Sequence, residues 1–178
     1  MGYHPYLDNV YIKCYSAAAN MRAHTADLTA VLVPNTVVNG VDCTEALWLG
    51  SSETVASHEA WPDRRPTRII NIGCVEYTQK PDWCEYHEFP LADNVKADLA
   101  GVLPGVFRLL RDDPKPTLIH CRVGQSRSPA VVLAYLMKYY GFWLDQAVDY
   151  LLARRPIWPN RGFLNALAAY QDELRVGN

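Results

Sequence analysis

The residues best placed to do chemistry lie in one run, His120-Cys121-Arg122-Val123-Gly124-Gln125-Ser126-Arg127-Ser128. An apolar, strand-like segment, Pro116-Thr117-Leu118-Ile119, leads into it, and a helix-like segment from Pro129 to Tyr140 follows. A cysteine thus stands at a strand end, and an arginine six residues later stands where a helix begins. The residues between them can curl so that successive backbone N–H groups converge on one anion. A nest of that kind at a helix N-terminus binds a phosphate-like dianion. Arg127 can close the ring with a bidentate fork onto two oxygens. The same N–H groups and positive charge favour a thiolate at Cys121. Gly124 lets the backbone approach the anion closely. Ser126 shapes the loop. The Ser128 hydroxyl can hydrogen-bond the sulfur, or cap the helix that follows. The loop reads as a nucleophile and its phosphate clamp in one element, with Arg122, Val123, Gly124, Gln125 and Ser126 forming the clamp.

The elements that must position this loop follow from periodicity. Val37–Leu49 predicts two short strands with Asn39-Gly40 as their turn. Ser52–Glu59 predicts a short helix, Thr67–Ile72 a central strand and Glu85–Leu91 another strand. Val95–Asp112 predicts a helix, broken at Pro104. Thr117–Cys121 is the strand that delivers the nucleophile. Helices are predicted at Ser128–Tyr140, Leu144–Arg154 and Arg161–Arg175. Ahead of all this lies a tyrosine-rich stretch, residues 1–36, with a helical pattern over Ala17–Val33 that Pro34 would end. Strands alternating with helices imply an α/β domain, its mostly parallel sheet covered by helices on both faces.

Composition sets the class. A chain of 178 residues, 49% hydrophobic and 20% charged, is long enough for one domain with a sizeable core. A net charge of −2 supplies no basic field for nucleic acid. No apolar stretch is long enough to span a bilayer, and no secretory leader pattern opens the sequence. Cys14, Cys43, Cys74, Cys84 and Cys121 are odd in number and contain no C-x-x-C pair. That argues against a disulfide framework and a zinc site, and for a reducing compartment, the cytoplasm or the nucleus. Cys74 or Cys84 could trap an oxidised Cys121, although half-buried strand cysteines are the simpler reading.

The run at 120–128 fits the His-Cys-x5-Arg-Ser signature of the cysteine-based protein phosphatases, and the surrounding chain resembles their dual-specificity branch. Leu47-Trp48-Leu49-Gly50-Ser51 resembles the leucine-glycine strand end near the start of those domains. Ala153-Arg154-Arg155-Pro156, Pro159-Asn160-Arg161-Gly162-Phe163-Leu164 and Tyr170-Gln171 resemble their end. The resemblance spans about residues 36–175. It implies a single domain over 37–178, with about five strands. The tyrosine-rich extension over 1–36 lies outside the resemblance; it could pack on the core, dock a partner or mediate a homodimer. The resemblance also implies that His120 orients the loop, and that Asn160 and an arginine pair buttress it.

Phosphoester cleavage by a thiolate needs a proton for the leaving oxygen. Trp61-Pro62-Asp63 copies the acid loop of the larger tyrosine-specific phosphatases, but Asp63 precedes the Thr67–Ile72 strand. Ligands of such sheets bind outside the carboxyl ends of the strands. Asp93, in Phe89-Pro90-Leu91-Ala92-Asp93-Asn94, leaves its strand at the same end as the nucleophile loop, where dual-specificity phosphatases carry their acid. Asp93 is therefore the expected acid; its alternative role is an N-cap for a helix from Val95, and Asp98 is a third candidate. The expected reaction passes through phosphocysteine and calls for no metal or cofactor, because the loop supplies the positive charge. The expected substrate is a protein phosphorylated on tyrosine, serine or threonine. Arg122 leaves phosphoinositides open, RNA 5′-phosphates are a further alternative, and a phosphoprotein-binding scaffold is the contrasting class. Trp143 and Trp158 are expected to pack rather than to touch substrate.

Overall fold

The computed structural model describes residues 6–19, 28–61, 66–73 and 80–176. Its helices are α1 (Tyr6–Ala19), α2 (Ser52–Ala56), α3 (Leu99–Asp112), α4 (Arg127–Tyr140), α5 (Leu144–Leu152) and α6 (Arg161–Val176). Its strands are β1 (Thr29–Leu32), β2 (Thr36–Val38), β3 (Val41–Cys43), β4 (Leu47–Ser51), β5 (Arg68–Ile72), β6 (Glu85–Phe89) and β7 (Thr117–Cys121). A five-stranded sheet has the order β1-β4-β7-β5-β6. Its last four strands are parallel, and β1 joins antiparallel to β4. The strand that ends in Cys121, β7, is therefore the middle one.

Side-chain alternation on the central strands divides the packing between two faces. Ile70, Ile72 and Ile119 point into the large core built with α1, α3, α4, α5 and α6. Ile69 and Leu118 point the other way, under Trp61, with Val55 of α2 and Trp48 packed beside them. The helices are thus not shared evenly, and the second face carries only short cover. α4 is the central helix, and Ala130 through Leu136 are almost completely buried. Its apolar character on every side follows from being packed all round.

Three local readings change. The N-terminal helix is α1 at Tyr6–Ala19, and Thr29–Leu32, inside the stretch predicted helical, pairs with β4 as a strand. Leu7, Val10 and Cys14 bury one side of α1 in the main core. The α3 helix begins at Leu99, because the Asp98 carboxylate accepts the Gly101 N–H at 3.0 Å and caps it. Pro104 lies within α3 without breaking it. The hairpin reading holds: Asn39 and Gly40 both take positive φ, 49° and 77°, as a two-residue hairpin turn requires.

Candidate active site

Parallel pairing brings Ser51 at the end of β4 beside Cys121 at the end of β7. Both strands release their chains at the same edge of the sheet, and the loop 122–126 is built there. Its outer side is pinned by neighbours. The Ser52 N–H and hydroxyl both donate to the Arg122 carbonyl, at 3.2 and 2.8 Å. The Trp158 N–H donates to the Gln125 carbonyl at 2.6 Å. In a trans peptide the C=O and the following N–H point in opposite directions. Holding those two carbonyls outward therefore turns the N–H groups of Val123 and Ser126 inward. The Gly124 N–H donates to Cys121 Sγ at 3.3 Å, and the Ser128 hydroxyl donates to it at 3.2 Å. Gly124 has φ 73°, and a Cβ there would stand 2.5 Å from the Gly50 carbonyl oxygen. Glycine is thus required by two constraints, a left-handed backbone and a close neighbour.

Arg127, the first residue of α4, reaches back over the loop. Its Nη1 donates to the Gly73 carbonyl at 2.8 Å. Gly73 follows β5 with φ 81°, and a Cβ there would meet the Leu91 carbonyl oxygen at 1.9 Å. The Arg127 Nε is buried and has no hydrogen-bond partner among the described residues. It lies 3.6 Å from Asp93 Oδ2. The site thus holds a buried donor available to an anion.

Asp93 lies after β6, at the sheet edge where Cys121 ends β7. Its Oδ1 accepts from Ser126 Oγ at 2.7 Å and from Asn160 Nδ2 at 2.9 Å. Asn160 is doubly engaged, since its Oδ1 accepts the Phe163 N–H at 3.0 Å and caps α6. Cys121, Arg127, Asp93, Ser126, Asn160, Val123 and Gln125 line one cavity of about 480 Å³. Asp98 caps α3, and Asp63 lies outside the described residues.

The remaining expected residues stand around this cavity. His120 is fully buried behind the loop, and its Nδ1–H donates to the Cys121 carbonyl at 3.4 Å. Burial lowers its pKa to about 4, and the nearby Arg127 charge acts in the same direction. The ring is therefore neutral near pH 7, a prop for the strand end and not a second cation. The Arg122 side chain is exposed and is not part of the cavity lining; its carbonyl is what the structure uses. Arg155 braces the end of β4 beside the loop, donating to the Leu49 carbonyl at 2.9 Å. Ser128 is buried against the sulfur. Cys74 lies outside the described residues. Cys84 precedes β6, at the opposite end of the parallel strands from Cys121, and a five-residue strand at ~3.3 Å per residue separates the two ends by roughly 16 Å. That is beyond a disulfide's reach. Burial, helped by Glu85, also pushes the Cys84 thiol up to about 11.

Several contributors escaped the sequence reading. Gly73 carries no motif of its own, and its place against Arg127 depends on sheet order. Ser52 is marked only by following the Leu-Gly-Ser strand end. Tyr11 and Arg161 line the cavity, as does Trp158, which also packs on Tyr11 and Tyr15. Among the described residues, no group of three or more His, Cys, Asp and Glu side chains is placed to hold a metal ion. No described helix is long and apolar enough to cross a membrane.

Comparison with known proteins gives concordant matches. The family model described as the dual specificity phosphatase catalytic domain matches residues 47–173. Protein phosphatase Slingshot homolog 3 of Rattus norvegicus is 36% identical over 132 residues, covering 72% of this chain and 20% of that protein. Dual specificity protein phosphatase 26 of Bos taurus is 31% identical over 141 residues, covering 74% of this chain and 66% of that protein. The chain therefore spans about a fifth of the length of that Slingshot relative. Among solved structures, human DUSP28 superposes with a TM-score of 0.64 at 27% identity, covering 72% of this chain and 90% of that one.

Proposed function

The chain belongs to the dual-specificity phosphatase family, and from that premise we propose that it hydrolyses phosphomonoesters of protein tyrosine, serine and threonine through a phosphocysteine intermediate. One observation carries the reading: Cys121 Sγ, Arg127 and Asp93 line a single cavity, with hydrogen-bond donors already on the sulfur.

In the first step, Cys121 Sγ attacks phosphorus in line. The S–P bond forms as the bond to the leaving oxygen breaks, and Asp93 gives that oxygen its proton. Arg127 and the inward N–H groups hold the equatorial oxygens as charge redistributes among them. In the second step, water attacks phosphorus and gives its proton to the Asp93 carboxylate. The S–P bond breaks, and the Ser128 hydroxyl stabilises the departing thiolate. Phosphate leaves and the site is restored. Positive charge comes from Arg127 and backbone dipoles, so the scheme uses no metal. The exposed position of the Arg122 side chain weakens the phosphoinositide alternative, which needs it inside the cleft. The presence of Cys121, Arg127 and Asp93 together disfavours a purely binding role. The expected setting is the cytoplasm or nucleus.

Phosphate release is the test, with chelator present, from phosphotyrosine and phosphothreonine peptides, phosphoinositides and triphosphate-ended RNA. Peptide turnover abolished by Cys121→Ser and strongly reduced by Asp93→Asn is expected. Turnover restricted to lipid or RNA would overturn the substrate assignment, and full activity in Cys121→Ser would overturn the mechanism.

A further inference from the structure

We propose that α1 and the Trp158 segment form an aromatic wall that reads the ring of a phosphotyrosyl side chain, with Tyr11 and Trp158 as the specificity-determining residues. This rests on the phosphatase reading and adds the substrate side chain the cleft prefers.

Tyr11 and Trp158 line the same cavity as Cys121 and Arg127. Their rings are 6.4 Å apart at 55°, and Tyr15 meets Trp158 edge-on at 5.3 Å. Arg161 lies over the Tyr11 ring at 4.5 Å, with its Nη1 3.4 Å from Asp8 Oδ1. Arg161, itself part of the cavity lining, thus braces the wall. Trp158 is 37% exposed and so keeps area for a ligand. Its backbone N–H is one of the two pins on the phosphate loop. The ring reader and the phosphate reader are thus fixed in register with each other.

Charge points to a single phosphate. Arg161 is partnered by Asp8, and the Arg122 side chain lies outside the cavity lining. Of the two arginines lining the cavity, Arg161 is exposed beside Asp8, and Arg127 is the one held against the phosphate loop. A side chain bearing one phosphate on an aromatic ring matches that pattern: the anion reaches Arg127 and the ring contacts the wall. A phosphothreonyl side chain, with no ring, leaves the wall uncovered. Aromatic contacts of this kind contribute about two- to tenfold each in affinity.

The test is calorimetry on the full chain carrying Cys121→Ser, titrated with a phosphotyrosyl peptide and an otherwise identical phosphothreonyl peptide. We expect the phosphotyrosyl peptide to bind about tenfold more tightly. Tyr11→Leu and Trp158→Leu, each added separately, should weaken it about two- to tenfold and leave the phosphothreonyl peptide within about twofold; Tyr11→Phe should retain the preference. Thermal midpoints establish that each variant is folded, and either leucine variant alone suffices. Equal binding of the two peptides, or folded leucine variants that leave the preference intact, would overturn the wall. Turnover of both peptides by the unsubstituted chain in that case would leave the phosphatase reading standing. Absence of binding and of turnover on either peptide would overturn both.

Discussion

The hydroxyl of Ser126, inside the phosphate loop, donates to Oδ1 of Asp93 on a loop from a different strand, at 2.7 Å. This bond fixes the proposed acid relative to the nucleophile before any substrate arrives. Asp93→Asn should lower kcat by about 10²–10⁴-fold on phosphotyrosine peptides. The loss should shrink on aryl phosphates whose leaving groups are acidic enough to depart without a proton. Ser126→Ala should give a milder fall. Steady-state rates across a series of aryl phosphates check both; an unvarying loss across the series would remove Asp93 from the acid role.

Ser128 donates to the sulfur and does not itself line the cavity. Its effect belongs to the step in which sulfur leaves. Ser128→Ala should slow breakdown of phosphocysteine more than its formation, so that a burst of leaving group precedes a slow steady rate. Rapid-mixing kinetics read this directly, with Cys121→Ser, expected to lose about a thousandfold or more, as the blank. A uniform slowing without a burst would mean that Ser128 only shapes the helix start.

Gly73→Ala and Gly124→Ala should both destabilise the fold, for the same backbone reason. Each takes a positive φ, and each Cβ would press on a carbonyl oxygen, of Leu91 or of Gly50. The backbone cost alone is about 1–2 kcal/mol. Gly73→Ala should also raise KM, because Arg127 hangs from the Gly73 carbonyl. Urea unfolding and KM measured on the same samples test the pair.

Acid should weaken the fold through His120. Its folded-state pKa, near 4, lies below the ordinary value of 6.5. Between those values the unfolded chain binds the proton and the folded chain does not, so stability falls as pH drops from 6.5 towards 4. The full loss is on the order of 3 kcal/mol. Glu85 adds to it only below pH 4.5, since hydrogen bonds from Lys115 and His87 hold its carboxyl near 2. Urea midpoints at pH 7, 6 and 5 should decline in the parent chain and flatten in His120→Gln.

The strand-loop-helix frame around Cys121 was legible because it is local. Strand, loop and helix are contiguous, and Thr117–Cys121 and Arg127–Tyr140 form within a residue of the expected bounds. The position of Asp93 beside that loop was legible from a weaker rule, that parallel strands release their chains at one edge. Gly73, Ser52 and Tyr11 were not, because their roles come from pairings between distant segments that leave no periodic trace. The stretch from Ala17 was misread for a related reason. Its apolar residues suit a helix when taken alone, but Thr29–Leu32 has an open edge of β4 to pair with, and tertiary pairing overrides propensity.

Asn160 ties two distant parts of the chain together. One face of its amide starts α6 and the other holds Asp93. The C-terminal helix and the proposed acid therefore share a single side chain as their hinge pin. Trimming α6, or fusing a bulky partner that tugs on it, would be felt in the cleft as a change in proton delivery, even though no residue of the phosphate loop had been altered.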